Sequence, residues 1–177
     1  ILFTSGIIAF LSIPIWWVIS NRIGKKLTWL ISSSITLIAL VSFYVYPISQ
    51  LNELLLLVGF IGFGSGAGGI LFWSMLPDTI EYGEVHTGVR SESSLYGFMT
   101  FAQKGSIAFA IIILGLVLDA IGFQANEIQT ESTIADMKAI MTLIPIVGIA
   151  SSLVIIYFYP IDAKMHKELL KQLKEER

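Results

Sequence analysis

Lys104 stands ten residues into a stretch, residues 94–121, that is otherwise apolar or uncharged until Asp119. In a helix that is about 15 Å along the axis, too deep for the ammonium to reach an interface easily. A cation at mid-membrane costs at least about 2.5 kcal/mol on insertion scales, so it should face a cavity or a carboxylate rather than lipid. Helical spacing puts Tyr96, Thr100 and Lys104 on one stripe, with Gln103 beside it. Such a stripe suits a solute or ion pathway. The plainer alternative is a structural lysine paired to a neighbouring helix.

A second concentration of ionisable groups is the run PDTIEYGEVHTGVRSES, residues 77–93. Asp78 and Glu81 are three apart and share a face if a helix continues past Pro77, and Arg90 follows close behind. Glu81, Glu84 and His86 offer metal-ligand types, but their spacing matches no recognised metal motif. A solvated charged loop would account for the composition equally, though not for acids gathering where lysines are expected. Residues 62–69 read GFGSGAGG and contain a formal G-x-G-x-x-G at Gly64, Gly66 and Gly69. A dinucleotide site needs a strand before that motif and a βαβ unit around it, and here the motif lies inside an apolar run. The same glycines form G-x-x-x-G pairs, Gly62 with Gly66 and Gly64 with Gly68, which let helix backbones approach closely or let one helix bend. The spacing therefore predicts helix packing by Gly62, Gly64, Gly66, Gly68 and Gly69.

The elements that must position these residues follow from composition. The chain has 177 residues, 55% hydrophobic and 14% charged, with a mean hydropathy of +0.79. Soluble domains carry about 25% charged residues. Here the charges collect in islands, and the apolar stretches between them approach the ~20 residues needed to cross a bilayer. Five candidate spans result, at about 1–20, 27–46, 54–76, 94–121 and 139–159, with a bundle over 1–161 and an amphipathic tail over 162–177. The tail's stripe of Met165, Leu169, Leu170 and Leu173 among lysines suits either a helix lying on an anionic leaflet or a solvated charged helix.

Basic residues alternate between connections. Arg22, Lys25, Lys26 and Arg90 share one side with Lys164, Lys167, Lys171, Lys174 and Arg177, while Lys138 stands alone on the other. Positive-inside logic makes the C-terminus cytoplasmic. A net charge of −2 argues for neither a nucleic-acid partner nor an acidic substrate. With no cysteine, disulfides and thiolate metal sites are excluded. The first residue, Ile1, lies within an apolar run without an initiator Met, as in a piece of a longer protein. A membrane-embedded enzyme would need a nucleophile or metal cluster at depth, where only Lys104 and hydroxyls stand.

The elements DTIEYGE at 78–84, TGVR at 87–90 and FAQKG at 101–105 closely resemble the glycoside–pentoside–hexuronide:cation symporter family, melibiose-permease-like members of the major facilitator superfamily. NRIGKK at 21–26 matches that family's basic connection between its eighth and ninth helices. The resemblance implies an all-α membrane fold, with the five spans corresponding to helices eight to twelve of twelve. It implies symport of a sugar or glycoside with a coupling cation, Na⁺ or H⁺, whose acidic ligands lie in the N-terminal half. It implies no other cofactor, a place in the plasma (inner) membrane, and a small solute, lipid and that N-terminal half as partners. Lys104 resembles the family lysine near the cation site, and Thr100 a polar position lining the sugar cavity. Arg22, Asp78, Glu81 and Arg90 resemble the charged network that closes the inner gate. Gly69 stands where some members place a cavity aromatic, and Glu81 where some have Asp. The alternatives are a facilitator of another small solute, and a membrane anchor or scaffold.

Overall fold

A computed structural model describes residues 2–175, with side chains from residue 3 to residue 173. The expected span start at Ile1 and the basic terminal residue Arg177 lie outside the described residues, as does the side chain of Lys174. The described chain is all α, with helices α1 (Leu2–Ile23), α2 (Lys25–Val45), α3 (Leu51–Thr87), α4 (Glu92–Ala120), α5 (Glu131–Tyr157) and α6 (Ala163–Glu175). The first five are long and apolar enough to cross a membrane.

Helix ends are set by local chemistry and do not follow hydropathy. The chain turns from α1 into α2 on Gly24 alone, whose φ of +89° is open to glycine and strained for other residues. Helix α3 starts at a reciprocal cap between Gln50 and Glu53 and ends on Gly88 in the left-handed conformation, φ +68°. Its 37 residues span about 55 Å, against a hydrocarbon thickness of about 30 Å. The apolar run stops near Leu76, but the helix continues through Pro77 for a further ten residues, to Thr87. Proline removes one backbone bond there. The next carbonyl, that of Ser74, accepts a bond from the Lys25 ammonium at 2.7 Å. Helix α5 starts well before the apolar span at 139, because the Thr130 side chain accepts the backbone N–H of Thr133 at 3.2 Å and caps it.

Helix α3 lies between α1 and α2. A Cβ at Gly62 would stand 2.5 Å from the Ser5 carbonyl oxygen, and one at Gly66 would overlap Ala9 and Ser12, all on α1. A Cβ at Gly64 would stand 2.7 Å from the Ser32 carbonyl oxygen on α2. These three glycines therefore set the separation of three helices. Gly68 and Gly69 do not, since a Cβ at either meets nothing within 4 Å. Among the described residues the close packing expected of them is not made.

Polar side chains fasten the same interfaces. The Phe63 carbonyl accepts bonds from Trp16 Nε1 at 2.6 Å and Ser12 Oγ at 3.2 Å. Buried Thr28, Ser32 and Thr36 of α2 donate to carbonyls of their own turns, so small polar residues enter the interface with their hydrogen-bonding satisfied. Trp29 Nε1 donates to Ser152 Oγ at 2.9 Å and ties α2 to α5. The apolar core gathers Trp16, Ala67, Leu71, Met75 and Ile156. Helix α4 has no buried residue. The tail helix α6 packs on α3 and turns Leu169 and Leu173 inward, leaving Leu170 partly exposed.

Candidate functional site

Two groups of residues stand out, one at an end of the bundle and one partway along α4. At the end where Gly24, Pro77 and Pro160 lie, the continuation of α3 presents Asp78 and Glu81 on one face, as their spacing of three in a helix requires. Lys25, at the first turn of α2, places its Nζ 2.7 Å from Asp78 Oδ1. His166 of α6 places Nε2 3.3 Å from the same Asp78 oxygen and 3.0 Å from Glu81 Oε2. The Asp78 residue is only 5% exposed, so its charge depends on those partners for stabilisation. Nearby, Lys26 Nζ donates to the Tyr159 carbonyl at 2.7 Å, and the Tyr159 hydroxyl lies 3.3 Å from Thr79 Oγ1. Burial pushes the Tyr159 phenol above its usual range, opposed by the Thr79 bond.

Of the four residues expected to share one network, Asp78 and Glu81 are together, while Arg22 and Arg90 are elsewhere. Arg90 Nη1 pairs with Glu84 Oε2 at 2.9 Å and its Nε with Glu92 Oε2 at 3.1 Å. Those two hydrogen bonds, Glu84 first, raise the Arg90 pKa. Arg22 is exposed at the end of α1 and pairs with no described residue. The cations facing the acids are Lys25 and His166. Lys25 was legible as part of the NRIGKK island, but nothing local marks His166, 85 positions from Glu81.

Asp78, Glu81 and His166 bring three ligand types within 4.8 Å of one another. The Lys25 ammonium already occupies Asp78 Oδ1, so the cluster reads as a network of ion pairs. The combination of Glu81, Glu84 and His86 is not assembled. Glu81 turns to His166, Glu84 to Arg90, and His86 bonds the Tyr82 carbonyl at 2.8 Å while stacking on its ring.

The second group is on α4. Tyr96 and Thr100 are half-buried, and Lys104 is exposed on the open side of the helix with no polar partner among the described residues. Gln103, one residue before it, lines a recess of about 520 Å³ between α2, α3 and α4. Gly68, Gly69, Phe72, Trp73, Met99, Ala102, Ser106 and Trp29 complete that lining. Gly68 and Gly69 thus widen a recess, a role that the absence of a Cβ serves as well as it serves packing.

Residues 1–163 match the family model described as MFS/sugar transport protein. The chain is 31% identical over 156 residues to the glucuronide carrier protein homolog of Escherichia coli K12, covering 88% of this chain and 34% of that protein. It is 31% identical over 152 residues to the uncharacterized symporter YnaJ of Bacillus subtilis, covering 86% and 33%. It is 30% identical over 116 residues to a putative sulfoquinovose importer of E. coli K12, covering 65% and 25%. The chain spans about a third of the length of the first of these relatives. With five membrane-crossing helices of this order and a family match over nearly the whole chain, the protein is an integral membrane protein that belongs to the MFS/sugar transport family of small-solute transporters.

Proposed function

We propose that this chain forms part of a secondary active transporter that moves a sugar or glycoside together with Na⁺ or H⁺ by alternating access. The observation that carries the reading is Lys104, an ammonium at membrane depth on the open face of α4, with no polar partner among the described residues. That position is costly unless a cavity or a carboxylate from elsewhere faces it. A second bundle, supplied by the N-terminal half of the same transporter, would furnish that carboxylate and the cation ligands. The recess beside Gln103, walled by Trp29, Phe72 and Trp73, suits a sugar ring, whose C–H faces stack on aromatics while amide and hydroxyl groups meet its hydroxyls. Tyr96 and Thr100 extend the same pathway along α4.

The end carrying Lys25, Asp78, Glu81 and His166 is the cytoplasmic gate, on the side where basic residues concentrate, in a plasma membrane. Arg22 and Arg90 join its lock when the two bundles close, since neither reaches Asp78 within this chain. Cation-gradient-driven uptake of a radiolabelled glycoside by the complete protein in proteoliposomes tests the reading. Uptake of a lipophilic amine in its place would make it a facilitator of another solute.

A narrower reading concerns substrate charge. Glucuronide and sulfoquinovose, named in two relatives, are both polyhydroxylated anions. Lys104 supplies the counter-charge such a solute needs. Competition by a glucuronide but not by the neutral glucoside separates this reading from a neutral sugar.

A further inference from the structure

Helix α6 holds the same two carboxylates that the proposed gate would use. His166 Nε2 faces Glu81 Oε2 at 3.0 Å and Asp78 Oδ1 at 3.3 Å. A ring nitrogen facing two carboxylate oxygens must carry its hydrogen, so the imidazole donates and both acids accept. The rest of α6 is built to bring it there. Asp162 Oδ1 accepts the backbone N–H groups of Lys164 at 3.0 Å and Met165 at 2.8 Å, which caps the helix start. Ala163 lies against the one-residue turn at Gly24, where an added Cβ would stand 3.0 Å from the Ala163 Cβ. Leu169 and Leu173, 4% and 8% exposed, bury the apolar stripe. Helix α6 is thereby fixed to the α1–α2 turn and to α3 at once.

This arrangement leaves little of Asp78 for anyone else. Its Oδ1 already takes Lys25 and His166, and the residue is buried. Arg22 and Arg90, the basic groups on the same side of the bundle, do not reach it. A guanidinium can pair with Asp78 and Glu81 only where the imidazole gives way. We propose that α6 is a reversible clamp that competes with the inner-gate lock for Asp78 and Glu81. Docked, α6 occupies the two acids with a hydrogen-bond donor from its own bundle and weakens the lock. Withdrawn, it frees them for the guanidinium partners, and the gate stays shut longer. The competition rests on the gate reading above, whereas the docking of α6 does not.

The chain has no cysteine, so single engineered cysteines serve as reporters. In the complete transporter, reconstituted with its cytoplasmic face accessible, Leu169→Cys reports α6 docking and Ser106→Cys reports access to the recess. Both are read as labelling rates with a membrane-impermeant maleimide. Leu169→Cys should label slowly, and roughly tenfold faster when combined with His166→Ala, since a charge-assisted bond to two acids is lost. His166→Gln, which keeps a donor, should restore part of the protection. His166→Ala should also slow Ser106→Cys labelling severalfold, because the freed acids tighten the lock. Fast labelling of Leu169→Cys without any other change would show α6 undocked and overturn the clamp. Faster Leu169→Cys labelling with Ser106→Cys unaffected would make α6 a mere anchor and overturn the competition. Failure of the gate reading is seen separately in a chain ending at residue 162, where no clamp exists. If Asp78→Asn leaves Ser106→Cys labelling unchanged there, the lock itself is absent.

Discussion

Lys25 Nζ lies 2.7 Å from Asp78 Oδ1 and 2.7 Å from the Ser74 carbonyl, so one ammonium serves both a buried acid and a carbonyl in the turn that Pro77 disturbs. Removing it leaves the buried carboxylate with the His166 ring as its remaining partner at 3.3 Å, which costs more than losing the pair as a whole. Lys25→Met should destabilise the protein by about 1–3 kcal/mol. The double variant Lys25→Met/Asp78→Asn should recover most of that loss. Thermal denaturation in detergent, followed by a fluorescent reporter of aggregation, measures both. A double-variant loss equal to the sum of the separate Lys25→Met and Asp78→Asn losses would mean that the pair contributes no coupling.

Glycine packing gives a contrast within one helix. Gly64→Val forces α3 away from Ser32 and Thr36, and Gly66→Val from Ala9 and Ser12, so each should lower stability by several kcal/mol or abolish membrane expression. Gly68→Ala and Gly69→Ala meet open space and should be neutral, or stabilising by roughly 0.5 kcal/mol through helix propensity. Expression level and Tm rank the four. Intolerance at Gly68 would place a further packing partner over the recess.

Asp78→Asn is expected to leave the complete protein in the membrane while shifting it toward inward-open forms. The motivation is a buried acid at the end of the bundle where the basic connections meet. Faster labelling of recess cysteines from the cytoplasmic side is the expected outcome. Unchanged labelling together with intact transport would reduce the cluster to a structural network.

Topology is tested by tags. A tag after Arg177 should be cytoplasmic, and one within residues 124–130, in the connection between α4 and α5, should be outside. Protease protection in inverted and right-side-out vesicles reads both. Tags on the same side would contradict an odd number of crossings between them.

Lys104→Ala should insert and fold, because α4 buries none of its residues within this bundle. It should lose cation stimulation of sugar uptake while sugar binding is affected less. Lys104→Gln keeps the hydrogen-bonding length without the charge and separates the two contributions. Full coupled uptake by both variants in the complete protein would leave Lys104 with a structural role.

Hydropathy determined the number and order of the spans, because the cost of placing a segment in lipid is a sum over its own residues and needs no knowledge of neighbours. The spacing of Asp78 and Glu81 likewise put both acids on one helix face, since periodicity is a property of the helix alone. Where the helices end was only partly legible. The cap at Thr130 starts α5 ahead of its apolar stretch, and α3 runs past its own through Pro77, where the Ser74 carbonyl takes a bond from Lys25 of another helix. The partners of the acids were decided by the tertiary structure. His166 reaches Glu81 across 85 positions because α6 folds back along α3, and Arg90, much nearer in sequence, is captured by Glu84 and Glu92 first. The glycines divide in the same way. All five look alike in the run GFGSGAGG, but which of them meet a neighbouring backbone depends on where α1 and α2 lie around α3, and no local pattern records that.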